Sequence, residues 1–425
     1  MISIVPETSL VHENISIIVT DLRPHRIYKL ELRLLHKVGT YRSFGVFKSS
    51  VAGRISLSHD APLRGTYSGV NQRGLFETVE PTESVRFGAY CNCTPPVAFQ
   101  YHLILGDEHG RKVGEKCFNR MLMHPLVERK EVEENTSIGR AKITGTMFKP
   151  PGDGPFPTII DISGSGGGIN EQKAAAFASR GFAAFSLSFF QFKSLPENLH
   201  AVDIQYFEDA ISYVCSLPYT SKRIGFQGVS FGGTLTMILA TRFPAIKAAC
   251  SINGSWAFDE ATHITVHENQ PPIAKFIDIE ENTHFLNGML VYAELCKRMV
   301  LEDGEEGIPF EESKPDTAFR FVSAMDDLST PTLFSTNRLS QKLRELGRTV
   351  EVHLLPGGHL LDPPCFPHHP LCFSKIAGTF QTYGGETSLH GRSQFEAWEG
   401  TVKFFAKHLG TPTPLPHPSK HSPKL

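Results

Sequence analysis

Residues Gly228-Val229-Ser230-Phe231-Gly232 follow an apolar and aromatic run, Arg223-Ile224-Gly225-Phe226-Gln227, and precede a helix-length apolar run from Thr234 to Thr241. Strand, sharp turn and helix in that order are the setting in which a serine can stand clear of the backbone as a nucleophile. Glycines two before and two after the serine permit the strained turn that lifts it. The alternative is an inert serine at the tip of an ordinary strand-to-helix turn. Partners elsewhere in the chain decide between the two.

A chain of 425 residues leaves room for two or three domains. Early on, Tyr28, Leu30, Leu32 and Leu34 alternate with Lys29, Glu31 and Arg33, the period of a half-buried strand. Similar runs at 15–19, 44–47, 85–90 and 99–105, separated by turn residues such as Gly53, Pro62 and Gly69, predict an antiparallel β-sandwich ending near residue 130. From about residue 140, strand candidates at 158–162, 183–187, 223–227, 247–252, 318–324 and 350–355 alternate with helical stretches. Residues 203–215, 234–241 and 339–346 are the helices. This rhythm predicts a mainly parallel sheet with helices on both faces. Residues 260–316 interrupt it, rich in Pro, Glu and Asn, with one apolar helical piece near Leu286 to Met299; such an insertion is a lid, a binding wall or a solvated loop. The last fifteen residues contain five prolines and predict an exposed, disordered tail. The expected division is therefore 1–135, 136–410 and 411–425.

A formal net charge of −2 supplies no electrostatic attraction toward nucleic acid or an anionic membrane surface. No apolar run reaches the length of a membrane span, and Met1 to Thr8 lack the basic start and apolar stretch of a secretory leader. Eight cysteines are scattered, and Cys91-Asn92-Cys93 lacks the two-residue gap of zinc or thioredoxin-like pairs. They read as reduced thiols of an intracellular protein, and neither metal nor cofactor is expected. The glycine-rich stretch Asp161 to Gly168 lacks the complete dinucleotide fingerprint and the lysine of a phosphate-binding P-loop.

A serine nucleophile needs a base, and the base an acid to orient it, in the chain order serine, acid, histidine for a fold of this kind. Strand 318–324 runs into Met325-Asp326-Asp327, which puts two carboxylates at the C-terminal end of a strand, where open α/β sheets assemble their sites. Order alone does not separate Asp326 from Asp327. Strand 350–355 leads into Pro356-Gly357-Gly358-His359, making His359 the leading base over His353, His368 and His369. Two backbone N–H donors are needed for the oxyanion of a tetrahedral intermediate. Phe231, which follows the serine at the positive end of its helix, supplies one, and the loop at Ser163–Gly168, through Ser165, the other.

These residues, with further ordered segments, carry a resemblance to the family that unites type I acyl-CoA thioesterases with bile acid-CoA:amino acid N-acyltransferase. The segments are Gly65-Thr66-Tyr67-Ser68-Gly69-Val70, Gly74-Leu75-Phe76, Glu80-Pro81, Gly154-Pro155-Phe156-Pro157, Pro363-Pro364 and Tyr383-Gly384-Gly385-Glu386. The resemblance implies an α/β-hydrolase domain preceded by an all-β, Ig-like sandwich, with an acyl-CoA thioester as substrate. Carried over by position, it implies Ser230, Asp327 and His359 as the catalytic triad. Hydrolysis is the leading reading. Transfer of the acyl group to glycine or taurine is the alternative; the conjugating relative has cysteine where this chain has Ser230, which favours hydrolysis. A non-catalytic acyl-CoA-binding module is the third reading. The chain departs from the family at Phe231, where lysine is usual, at Leu328-Ser329-Thr330, where Asn-Trp is common after the aspartates, and in a longer loop at Phe366–Cys372. Its terminal Pro423-Lys424-Leu425 is similar to the peroxisomal Ser-Lys-Leu signal, so a peroxisomal import receptor is an expected partner, with the cytosol as the other compartment.

Overall fold

The computed structural model describes every residue except 138, 140, 259–262, 266–282, 302–307, 376 and 419–425. The alternation at 28–34 makes the strand Ile27–His36, whose Leu30, Leu32 and Leu34 are fully buried. It pairs antiparallel with Gly39–Lys48 on one side and Phe99–Gly106 on the other. Lys112–Met121 and Thr8–Leu10 extend that sheet. A second sheet of Ile2–Val5, Ser16–Val19 and Ile55–Ser56 sends Ile4, Ile17, Val19 and Ile55 into the same core, completing a sandwich.

The stretch 85–90 is not a strand. It runs through turns, and its apolar residues face another part of the chain: Phe87 packs on Phe380 at 4.9 Å, and the Gly88 carbonyl accepts the Phe373 N–H at 3.0 Å.

The chain then changes sheets. Strand β1 (Glu128–Asn135) hairpins with β2 (Lys142–Lys149) and opens an eight-stranded sheet, ahead of the expected division at 135/136. The other strands are β3 (Phe156–Ile162), β4 (Ala183–Ser188), β5 (Thr220–Val229), β6 (Ile246–Ile252), β7 (Ala318–Ala324) and β8 (Thr349–Leu355), in the spatial order β1-β2-β4-β3-β5-β6-β7-β8. From β4 onward the strands are parallel. β3, β4, β6, β7 and the second half of β5 are buried on both faces and read as short, mainly apolar runs, whereas the edge strand β8 is half-buried and alternates Thr349, Glu351 and His353 with Val350, Val352 and Leu354. Neighbouring residues feed opposite cores. Ile160, Phe226 and Phe319 meet the helices Gln205–Ser216, Phe231–Arg242 and Thr332–Glu345, while Ile159, Ala248 and Val322 meet Gln172–Ala178 and Thr387–Leu409.

Within the insertion, the apolar piece near 286–299 is a hairpin followed by a helix, Ala293–Leu301. The hairpin joins His284–Leu286 to Met289–Val291 through Asn287-Gly288, both at positive φ (51° and 76°), the conformation a tight hairpin turn requires. Met289–Val291 pairs with Thr379–Thr382, which pairs with Leu371–Ser374, giving a small sheet of its own. The remainder of the insertion lies largely outside the described residues.

The tail also differs from expectation. Thr411 to Pro418 lies against the protein: the Pro416 carbonyl is 2.8 Å from His124 Nε2, Leu415 packs on the core under the helices Gln172–Ala178 and Thr387–Leu409, and His417 Nε2 is 3.6 Å from Glu13. Prolines with fixed φ lose little entropy when laid down in extended form. Pro423-Lys424-Leu425 falls outside the described residues.

One connection fastens the sandwich to the central sheet. Beyond β8 the chain enters the sandwich core with Cys365 and Phe366, both buried; Phe366 packs on Phe99 at 4.9 Å, and the Cys365 carbonyl accepts the Tyr101 hydroxyl at 3.4 Å. Truncating such a side chain removes transfer free energy and leaves a void. Phe366→Ala is expected to lower unfolding free energy by about 3–5 kcal/mol in urea titration; a loss below about 1 kcal/mol would show that the sandwich core closes without it.

Candidate functional site

Strand β5 ends at Val229, and Ser230 turns the chain directly into the helix Phe231–Arg242 with φ 59° and ψ −128°. A non-glycine residue holds such a conformation only where its surroundings over-determine it. Here the Ser230 N–H donates to the Ile252 carbonyl at 2.8 Å, and the backbone closes in on both sides. A Cβ at position 228 would overlap the Gly232 carbonyl, and one at 232 would overlap the Ser163 carbonyl, so the two glycines serve close approach. The loop after β3 lies directly opposite: a Cβ on Gly164 would stand 3.0 Å from that of Ser230.

Strand β7 delivers Asp326 and Asp327 to the same end of the sheet, and the two separate cleanly. Asp326 Oδ2 accepts the Gly385 N–H at 2.9 Å on the exposed side. Asp327 turns inward, with Oδ2 2.7 Å from His359 Nδ1; both side chains are 1% exposed. The remaining capacity of the Asp327 carboxylate is filled by the residues that follow it. Oδ1 accepts the Ser329 and Thr330 N–H groups at 2.7 and 3.0 Å, and Thr330 Oγ1 lies 3.0 Å from Oδ2. Leu328-Ser329-Thr330, which departs from the family pattern, thus still cradles this carboxylate.

His359 is held from several directions. Its N–H donates to the Tyr383 carbonyl at 2.8 Å, its carbonyl accepts the Asn253 side-chain amide at 2.6 Å, and its ring stacks on Tyr383 at 5.4 Å and 8°. The glycine before it answers to crowding, since a Cβ on Gly358 would overlap the Gly384 carbonyl. The rival histidines are engaged elsewhere: His353 Nδ1 with Arg320 at 3.1 Å, His368 Nε2 with the Gly384 carbonyl at 2.9 Å, and His369 Nε2 with the Cys91 N–H at 3.1 Å.

Ser230 and His359 line one cavity of about 300 Å³, together with Ser163–Gly167, Gln381 of the small sheet and Tyr383 just after it. The N-terminal domain adds Tyr90 and Asn92 to its wall. Part of that lining is a buried polar cluster that sequence reading does not find. The Tyr90 hydroxyl donates to Asp362 Oδ2 at 2.8 Å, the Gln172 amide to Asp362 Oδ1 at 2.8 Å, and Lys173 Nζ stands 3.4 Å from the same oxygen. Asp161, which accepts Gln227 Nε2 at 2.9 Å, is pushed up to about 6 by its burial. Charged residues widely spaced in sequence leave no local pattern, so only the fold assembles them.

Phe231 N–H, in the first turn of its helix, has no carbonyl within the helix to pair with. Its side chain, where lysine is usual, is buried in an aromatic stack with Phe258 at 4.8 Å and Phe189 at 6.2 Å. Ser165 lies on the cavity wall opposite Ser230.

Topology and site geometry together define an α/β hydrolase: a mainly parallel eight-stranded sheet with a strained serine turn after β5 and an acid–histidine couple after β7 and β8. Residues 12–134 match the family described as acyl-CoA thioester hydrolase/BAAT N-terminal region, and residues 202–411 match BAAT/acyl-CoA thioester hydrolase C terminal. The chain is 31% identical to mouse (Mus musculus) peroxisomal succinyl-coenzyme A thioesterase, covering 94% of both chains. It is 30% identical to two further mouse proteins: mitochondrial acyl-coenzyme A thioesterase 2, over 96% of this chain and 90% of that one, and acyl-coenzyme A thioesterase 1, over 94% of each. The chain therefore belongs to the acyl-CoA thioesterase/bile acid-CoA:amino acid N-acyltransferase family.

His390 supports the His359 loop from behind. Its Nδ1 accepts the Gly358 N–H at 3.1 Å and so carries no proton, and burial together with His368 and His369 holds its pKa well below the usual histidine range. A histidine with a depressed folded pKa binds fewer protons folded than unfolded, so stability is full above the unfolded value near 6.5 and is lost as pH falls below it. Urea titrations at pH 7, 6 and 5 are expected to show this loss, at most about 1.4 kcal/mol per pH unit from this group. His390→Asn, which keeps an acceptor for Gly358 but does not titrate, is expected to flatten the slope. Equal slopes in both proteins would remove His390 as a source.

Proposed function

We propose that this protein hydrolyses acyl-CoA thioesters through an acyl-serine intermediate, with Ser230 as nucleophile, His359 as general base and Asp327 as the residue that orients and stabilises the imidazole. The observation that carries the reading is the buried 2.7 Å couple between Asp327 and His359, whose imidazole shares a cavity with the strained Ser230. In this scheme His359 Nε2 takes the Ser230 Oγ proton as Oγ attacks the thioester carbonyl. Asp327 keeps Nδ1 protonated and offsets the charge of the imidazolium. The Phe231 and Ser165 N–H groups stabilise the oxyanion, the first reinforced by its helix dipole. Collapse of the tetrahedral intermediate breaks the C–S bond and releases CoA thiolate, which needs less protonation help than an alkoxide or amine. His359 then activates water, and the acyl-serine is released as a free acid.

The family also holds an amino-acid conjugating branch, so an amine replacing water is the second reading. Serine at position 230, where the conjugating relative has cysteine, favours water. Product analysis with and without glycine or taurine separates the two: free acid in both arms supports hydrolysis, and an N-acyl amide supports transfer.

Ser230→Ala is expected to abolish CoA release while leaving the circular dichroism spectrum unchanged; undiminished release would end the proposal. Asp327→Asn is expected to lower kcat by roughly 10³–10⁴-fold, because the amide favours the wrong imidazole tautomer. Asp326→Asn, which alters only the support of Gly385, is expected to keep kcat within about tenfold of the parent. Reversed effects at the two positions would exchange their roles.

A further inference from the structure

Sequence spacing sets Cys91 and Cys93 aside, but the fold brings a third residue to them. Among the described residues, one group of three histidine, cysteine or carboxylate side chains has its donor atoms all within 4.8 Å of one another: His36, Cys91 and Cys93. His36 ends the central strand of the sandwich, Ile27–His36, and is half-buried; both cysteines are buried and reduced. Cys93 Sγ lies 3.8 Å from His36 Nε2. Zinc bonds of about 2.3 Å to sulfur and about 2.0 Å to nitrogen, at the tetrahedral angle, put such a pair about 3.5 Å apart. The Cys93–His36 edge is thus close to formed, and the other edges need only a modest contraction.

The two cysteine backbones are already pinned. The Cys91 N–H donates to His369 Nε2 at 3.1 Å and the Cys93 N–H to Gln172 Oε1 at 3.4 Å, so both sulfurs are presented from fixed positions. Tyr41, 1% exposed and within electrostatic reach of Cys91, Cys372 and Cys93, has a hydroxyl with no hydrogen-bond partner among the described residues. A thiolate held by a metal accepts such a hydrogen bond, as outer partners of metal ligands commonly do. Charge favours a divalent ion: two thiolates and one M²⁺ sum to zero, and a buried site must be neutral or paired. The half-exposed His36 gives an approach from solvent. The Val38 N–H lies 3.4 Å from His36 Nδ1, a long contact that a metal-bound imidazole, protonated on Nδ1, gives up.

We propose that His36, Cys91 and Cys93 form a binding site for a thiophilic, tetrahedral divalent cation of the zinc class, separate from the serine site. Binding forms two metal–sulfur bonds and one metal–nitrogen bond, releases both thiol protons to solvent, and leaves a fourth position for water. Asn92, between the two ligands, lines the serine cavity, so the ion would fasten one wall of that cavity to the sandwich hairpin.

The test uses the full chain, reduced and freed of metal, titrated with Co²⁺ and then Zn²⁺. One equivalent of Co²⁺ is expected to give a near-ultraviolet thiolate-to-cobalt band with the visible bands of a tetrahedral site, bleached by one equivalent of Zn²⁺. Zn²⁺ should also raise the thermal midpoint in a concentration-dependent way. Cys91→Ser, Cys93→Ser and His36→Ala, each checked for fold by circular dichroism, are expected to bind Zn²⁺ at least about tenfold more weakly. Cys117→Ser, at an exposed cysteine elsewhere, and Ser230→Ala are expected to bind as the parent does. Absence of the thiolate band in the parent protein overturns the proposal. So does full affinity in folded His36→Ala, which keeps both thiols but lacks the imidazole.

Discussion

The site depends on backbone packed directly against backbone. Around Ser230 three segments meet with no side chain between them: the end of β5, the start of its helix and the loop after β3 touch at Gly228, Gly232 and Ser163. The same contact recurs where Gly358 lies on Gly384, beside His359. Such contacts leave little room to relax. They hold the serine at φ 59° and pin the histidine loop against the turn after the small sheet. Asn253, fully buried just after β6, joins the pieces, donating to the His359 carbonyl and accepting the Ala324 N–H at 2.7 Å. Serine turn, acid strand and histidine loop are thereby fixed relative to one another by main-chain contacts and the Asn253 side chain.

Much of this was legible in the sequence, for identifiable reasons. β3 to β7 are short, mainly apolar runs and β8 is a half-buried edge strand of alternating pattern, and the serine turn, the paired aspartates and Gly357-Gly358-His359 each sit where such a strand ends. What failed was mostly a matter of partners. Val85–Tyr90 has the composition of a strand, yet Phe87 finds its apolar neighbour in Phe380, far along the chain. The hairpin at Asn287-Gly288 carried a readable turn signal that was overridden by the apolar run around it. The choice between Asp326 and Asp327 has no local signature, because which of them meets His359 depends on how β7 twists into the following turn. The cluster of Tyr90, Gln172, Lys173 and Asp362 was invisible for the same reason: its members come from three separate segments.

The cavity is a joint product of both domains. The central sheet supplies the serine turn and the acid–histidine couple, while Tyr90 and Asn92 arrive from the sandwich side and the small sheet closes another wall. Phe231 shows how a departure from the family is absorbed. A lysine beside the serine would carry a charge, whereas the aromatic ring is stacked between Phe189 and Phe258 and adds to the core under the helix. Its backbone N–H, the part relevant to the proposed chemistry, is unaffected by that exchange.

The burial of Cys365 and Phe366 in the sandwich core has a consequence for how the chain is made. A ribosome releases the sandwich strands first, and domains ordinarily fold as they emerge. Here the first domain's core is completed by residues from late in the chain. Its core lacks two of its own residues, and Phe395 besides, until nearly the entire polypeptide has been synthesised. A transcript cut short before residue 365 would leave the sandwich incomplete even though every one of its strands had been translated.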